Sequence, residues 1–258
     1  MTEPKPLRVP DLAAMKSRGE KISMLTAYDA TFARLLDQAG IDVLLVGDSL
    51  GMVVLGGDDT LQVTVDDIVR HTKAVRRGTR RALVVADMPF MSYQASVSDA
   101  VRNAGRLLQE GEAMAVKLEG GLPVVATVER LVSLGIPVVG HLGLLPQSVH
   151  QLGGFKRQAT TKEARKKLLD DASALENAGA FAVVLECIPP DLAQEATAAL
   201  RIPTIGIGSG GHCDGQVLVS YDLLGLTGKV PPFVHKYVQL DKAVTDAARA
   251  FVKDIKHG

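Results

Sequence analysis

The chain has 258 residues, with 29 Lys and Arg against 29 Asp and Glu, so its formal net charge is zero; 47% of it is hydrophobic, 4% aromatic, and Trp is absent. That length buries a full core, and a single closed α/β barrel takes about 250 residues. Zero net charge excludes the basic footprint of a non-specific nucleic-acid or anionic-membrane binder, and so few aromatics exclude a base-stacking platform.

In chain order, the opening MTEPKPLRVP has no apolar stretch and does not read as a signal peptide. Residues 10–18 form a candidate extra helix. Strand-like runs follow at residues 23–28, 43–47, 82–86, 113–118, 137–140, 180–185 and 202–207, with an eighth at 216–220. Most are short, β-branched and continuously apolar, as strands covered on both faces should be. Amphipathic helical patterns lie between them at 31–39, 64–77, 96–110, 122–134 and 162–178. Thr64 with Asp66 and Asp67 suits a helix N-terminus, and Gly40 and Gly179 suit left-handed C-caps. Residues 241–255 form a last helix whose Val244, Ala247, Ala248, Phe251 and Ile255 make an apolar stripe, packing on the barrel or on another subunit.

The alternation implies an α/β chain folded as a parallel (β/α)8 TIM barrel, a single domain over 1–258 with an N-terminal capping helix and a C-terminal helix. A doubly wound open sheet is the competing architecture; the number of units favours the barrel. No run approaches the length of a membrane span. Cys187 and Cys213 make neither a metal-type cluster nor a disulfide framework, which fits a reducing compartment. The expected setting is cytoplasmic.

In a barrel, the C-terminal strand ends face the catalytic mouth. Those ends carry Tyr28-Asp29, Gly47-Asp48-Ser49, Asp87, Lys117 with Glu119, His141, Glu186 and Ser209. Asp48 and Asp87 each follow a buried strand. Two carboxylates aimed at one pocket repel, so either one is protonated or a cation sits between them, and all-oxygen ligation suits Mg2+. The plainer alternative is that each Asp turns a loop or caps a helix. Lys117 and Glu119 share one strand face, as a site for a substrate carboxylate or as a buried structural ion pair. His141 is a candidate acid/base group or a satisfied structural residue. Glu186 ends the run FAVVLE, where partial desolvation makes a carboxylate a stronger base; its structural alternative is a partner for a Lys or Arg. Residues 206–211 match G-x-G-x-x-G, but HCDGQVLV follows as turn and strand rather than helix, which argues against a dinucleotide site.

These residues sit in LTAYDATFA, VGDSLGMVVLG, ADMPFMSY, VKLEGG, GIPVVGHLGLLPQ, VLECIP, IPTIGIGSG and CDGQVLVSYDLLGL. In that order, over residues 25–226, the chain closely resembles the ketopantoate hydroxymethyltransferase family. The resemblance implies a barrel enzyme of pantothenate biosynthesis that moves a one-carbon unit from 5,10-methylenetetrahydrofolate to 3-methyl-2-oxobutanoate, giving 2-dehydropantoate through a magnesium-stabilised enolate. It implies that Asp48 and Asp87 hold Mg2+ with Glu119 in support, and that Ser49 and Lys117 grip the 2-oxoacid. It also implies Glu186 as base, His141 lining the site, and a large homo-oligomer, usually a decamer. Two departures stand out. FKRQATT, at 155–161, replaces the family's aromatic-Lys-Val-Gln-Gly pattern, so Arg157 and Ala159 alter that loop, and Ser209 replaces the usual Ala. A Mg2+-dependent 2-oxoacid C–C lyase or phosphonomutase on a related barrel is the alternative enzyme, and a non-catalytic oxoacid-binding assembly is a third reading.

Overall fold

The computed structural model describes residues 5–257. They form two compact units, one ending at Val217 and one beginning at Leu218. In the first, α1 (Val9–Ser17) leads into β1 (Ile22–Thr26), α2 (Ala30–Gln38), β2 (Val43–Val46), a single turn α3 (Leu50–Val53), α4 (Val65–Gly78), β3 (Leu83–Asp87), α5 (Val97–Gln109) and β4 (Ala115–Glu119). A 3₁₀ turn, Leu122–Val124, opens α6 (Val125–Ser133); then come β5 (Val138–Gly143), the turn α7 (Val149–Leu152), α8 (Lys162–Asn177), β6 (Ala182–Glu186), α9 (Pro190–Ala199), β7 (Thr204–Ile207) and β8 (Gly215–Leu218). The strands close into a barrel in sequence order, and the observed pairs are parallel. Every strand expected from the sequence forms, displaced by up to three residues at its ends. The short helix α9 and the turn α3 were not anticipated.

The barrel interior follows from the two-residue period of strand side chains. Met24, Val43, Leu45, Leu83, Val85, Ala115, Val139, Ala182, Val184, Ile205 and Val217 fill it, and Leu12 and Met15 of α1 join the same cluster. Each Val, Leu, Ile or Met side chain among them, once fully buried, contributes about 1.5–3 kcal/mol. Lys16 fastens α1 to the far end of the barrel sequence. Its Nζ donates to the carbonyls of Thr197 and Ile202, each at 3.0 Å, and to Asp214 Oδ2 at 2.9 Å. Asp214 O in turn accepts the Ile22 N–H at 2.9 Å, where the last strand meets the first.

Helix ends obey their local chemistry. Asp29 Oδ1 accepts the N–H groups of Thr31 and Phe32, so this strand-end carboxylate caps α2. Thr64 and Asp67 form a reciprocal capping box at the start of α4. Gly40 and Gly179 follow α2 and α8 with φ of 90° and 94°, a conformation only glycine takes without strain.

The second unit contains the turn α10 (Ser220–Leu223) and the long helix α11 (Leu240–His257). Backbone bonds from Tyr237 to Leu223 and from Leu240 to Leu224 tie the start of α11 to the end of α10. On α11, Val244, Phe251, Val252 and Ile255 are all exposed. No helix among the described residues is long and apolar enough to cross a membrane.

Candidate active site

The period that places apolar residues low in the barrel places charge above them. Asp87 lies on the face of Leu83 and Val85; Lys117 and Glu119 follow Ala115; His141 follows Val139; Glu186 follows Ala182 and Val184. The register then sets Asp87 opposite Lys117, Glu119 opposite His141, and Glu186 opposite Gly143. Asp48, two residues beyond β2, donates its N–H to Asp87 Oδ2 at 3.0 Å. All five of Asp48, Asp87, Lys117, Glu119 and His141 are buried.

Contacts run through the whole group. Lys117 Nζ is 2.9 Å from Asp87 Oδ1. His141 Nδ1 is 3.4 Å from both Lys117 Nζ and Glu119 Oε1, and its Nε2 is 3.1 Å from Glu186 Oε2. Ser49 Oγ pairs with the Tyr28 hydroxyl at 2.9 Å. A Cβ on Gly47 would fall 2.7 Å from Ser49 Oγ and 3.5 Å from Asp87 Oδ2, so the bare backbone there is what lets the two approach. Asp48, Ser49, Asp87, Lys117, Glu119, His141 and Glu186 are thus brought to one end of the barrel.

The electrostatics follow from burial and neighbours. Burial, then the charges of Asp87 and Glu119, push the Asp48 carboxyl up to about 8. Burial alone would lower Lys117, but Asp87, Glu119 and Asp48 outweigh it and hold the ammonium charged. Burial pushes Glu119 up, and the close imidazole of His141, together with Lys117, overcomes it to leave the carboxyl below its ordinary value. Burial and Lys117 press His141 down, while Glu119 and Glu186 carry it up to about 9. The imidazole thus lies between the carboxyl groups of Glu119 and Glu186, which favour its charged form.

This donor set suits a hard divalent cation. Its groups are carboxylate oxygens, and the burial and neighbouring negative charge that push Asp48 up are what a bound cation would offset. Buried Glu119 Oε1 has no well-aligned hydrogen bond. Among the described residues no three His, Cys, Asp or Glu side chains converge as a complete cage. Mg2+ commonly takes one or two carboxylates and leaves its other positions to water and substrate. Asp48 and Asp87, with Glu119 behind them, would hold it.

Two participants were missed from the sequence. Gln147 Nε2 donates to Asp48 Oδ2 at 2.9 Å, and the Tyr93 hydroxyl donates to Gln147 Oε1 at 2.7 Å while accepting the Glu119 N–H at 3.0 Å. Both are buried. Ser209, by contrast, is structural: its buried Oγ donates to the Leu185 carbonyl at 2.6 Å. The glycine-rich loop around it leads to β8, not to a helix. In the altered loop at 155–161, Ala159 has φ of 53°, a left-handed backbone where the resembled family carries glycine. The neighbouring Gln158 N–H donates to the carbonyl of Cys187, the residue after Glu186, at 2.8 Å.

The family model described as ketopantoate hydroxymethyltransferase matches residues 6–258. The 3-methyl-2-oxobutanoate hydroxymethyltransferase of Syntrophus aciditrophicus (strain SB) is 56% identical over 248 residues, 96% of this chain and 91% of that protein. That of Moorella thermoacetica (strain ATCC 39073 / JCM 9320) is 57% identical over 251 residues, 97% of this chain and 93% of that protein. A phosphonopyruvate hydrolase solved with oxalate and Mg++ shares the fold at a TM-score of 0.65 and 11% identity, over 97% of this chain and 87% of that one. On the strength of the family match and the long, close identity to these transferases, the chain belongs to the ketopantoate hydroxymethyltransferase family and is a hydroxymethyl-transferring enzyme.

Proposed function

We propose that the enzyme converts 3-methyl-2-oxobutanoate, 5,10-methylenetetrahydrofolate and water into 2-dehydropantoate and tetrahydrofolate, a step towards pantothenate, with Mg2+ as its metal. The observation that carries this reading is the meeting of Asp48, Asp87 and Glu119 with Lys117, His141 and Glu186 at one end of the barrel. Asp48 and Asp87 would hold Mg2+, which would supply Lewis-acid polarisation to the bound oxoacid.

The residues do the rest. Lys117, fixed as a cation by Asp87, and the Ser49 hydroxyl bind the oxoacid. Glu186 removes the proton from C3, and the electron pair moves toward the 2-oxo oxygen. His141, with Nε2 3.1 Å from Glu186 Oε2, pairs with that carboxylate and orients it toward the substrate. C3 then forms its new bond to the methylene carbon of the folate. The two C–N bonds that hold this carbon to the folate break, water supplies the hydroxyl, and the proton taken from C3 and the remaining water proton go one to each folate nitrogen.

Exposed apolar residues on α11 support a homo-oligomer, by resemblance a decamer, and the two free cysteines are consistent with cytoplasmic operation. The test is loss of the C3–H signal of 3-methyl-2-oxobutanoate in D2O, followed by NMR with and without Mg2+ and folate. Mg2+-dependent exchange and folate-dependent product are expected. Folate-independent cleavage or isomerisation of an oxoacid would replace this reading with a lyase or mutase; absence of any exchange would leave only binding.

A further inference from the structure

Gln147 stands outside the proposed chemistry yet bonds to two of its carboxylates, Asp48 and Glu119. It follows β5 in the 3₁₀ turn Pro146–Ser148 and is only 5% exposed. Its Nε2 donates to Asp48 Oδ2 and to the Met88 carbonyl, each at 2.9 Å. Its Oε1 accepts from the Tyr93 hydroxyl at 2.7 Å and from Gln94 Nε2 at 3.0 Å. Its backbone N–H donates to Glu119 Oε2 at 3.1 Å. Both amide donors and both acceptor lone pairs are therefore used.

That census fixes the amide. A flipped side chain would set Oε1 against the Asp48 carboxylate and the Met88 carbonyl, acceptor against acceptor, in a buried place where lost hydrogen bonds are costly. The consequence reaches two carboxylates from different parts of the barrel. One oxygen of Asp48 is pinned by the Gln147 side chain, and one oxygen of Glu119 by the Gln147 backbone. Neither carboxylate can rotate without breaking a bond to this residue. What remains is Asp48 Oδ1 and the unaligned, buried Glu119 Oε1.

We propose that Gln147 is the positioning residue of the divalent-cation site, selecting which oxygen of Asp48 and which of Glu119 is presented to the ion. Tyr93 and Gln94 act through it by fixing its amide. The inference rests on the proposed cation site and adds to it the part that sets its geometry. Outer partners of this kind typically change metal affinity about 10–100-fold when removed.

The experiment measures Mn2+ binding to the purified full-length chain by electron paramagnetic resonance, with circular dichroism to report the folded fraction. Gln147→Met keeps the length and the backbone N–H but removes the side-chain donors and acceptor. Its folded fraction should bind Mn2+ about 10–100-fold more weakly, with an altered bound-ion spectrum. Gln94→Ala, at an exposed position, removes one donor that orients the amide and should weaken binding in the same direction by less. A purely structural role would lower the melting temperature and leave affinity per folded molecule untouched. Unchanged Mn2+ affinity in folded Gln147→Met overturns the proposal; should that variant not fold, unchanged affinity in Gln94→Ala overturns it. A native chain that binds no Mn2+ sinks the cation site itself, a failure distinguishable from either of these.

Discussion

Glu186 differs from its neighbours in access to water. Its side chain is 15% exposed, against 3% for those of Asp87 and Glu119. A general base has to meet the substrate, whereas carboxylates that seat an ion are better enclosed. Replacing Glu186 with Gln preserves shape and removes the base, so C3–H exchange in D2O should fall about 10²–10⁴-fold while oxoacid affinity changes little. Exchange at the native rate would remove Glu186 from this role. Asp87 carries a different load, since it neutralises Lys117 and accepts the Asp48 N–H. Breaking a buried pair by removing one partner costs about 3–5 kcal/mol. Asp87→Asn should lose up to that much, because Glu119 still faces the ammonium, and the stabilisation gained from added Mg2+ should vanish as well. Urea unfolding midpoints with and without Mg2+ check both. Asp87, Lys117, Glu119, His141 and Glu186 were legible in the sequence because a charged residue ending an apolar strand can point only one of two ways. Gln147 and Tyr93 were not, because a polar residue in a loop has no periodicity and its burial is decided by segments distant in the chain.

At the scale of elements, the eight strands could be read because a strand covered on both faces leaves an unbroken apolar run. The short α9 escaped because its PDLAQEATAA has small residues on every side and little amphipathic contrast. Asp29 shows the converse, since a strand-end carboxylate that looked like a site member belongs to a helix cap. Capping can be measured at α4. Thr64→Ala removes the side-chain half of the box and should cost about 1 kcal/mol in chemical denaturation. The same box sets a pH dependence. The Thr64 hydroxyl holds the Asp67 carboxyl below its ordinary value, with burial opposing. A carboxyl lowered in the folded state gives its full stabilisation above its unfolded value, about 3.9, and loses it as pH falls through the lowered folded one. The acid limb of the native stability curve should therefore be steeper than that of Thr64→Ala in this window; superimposable limbs would show that the box contributes nothing.

For the whole molecule, the proposal of self-association has a specific handle. Val244, Phe251, Val252 and Ile255 expose 48–71% of their surface on α11. Covering one such side chain is worth about 1.5–3 kcal/mol, enough to weigh in an assembly that repeats the contact. Sedimentation velocity should find the native chain larger than a monomer and Phe251→Asp shifted to smaller species; an unshifted profile would free α11 from that duty. The fastening of α1 bears on how the chain is made. Lys16 and Asp214 are 198 residues apart, and the last strand closes on the first where the Asp214 carbonyl accepts the Ile22 N–H. On the ribosome the rivet head is finished early and its counterpart arrives near the end of synthesis. Until then the nascent sheet is an open ribbon with two bare edges, the form most apt to stick to its siblings. Translation that stalls short of Asp214 would therefore yield a sticky fragment, not a smaller working enzyme.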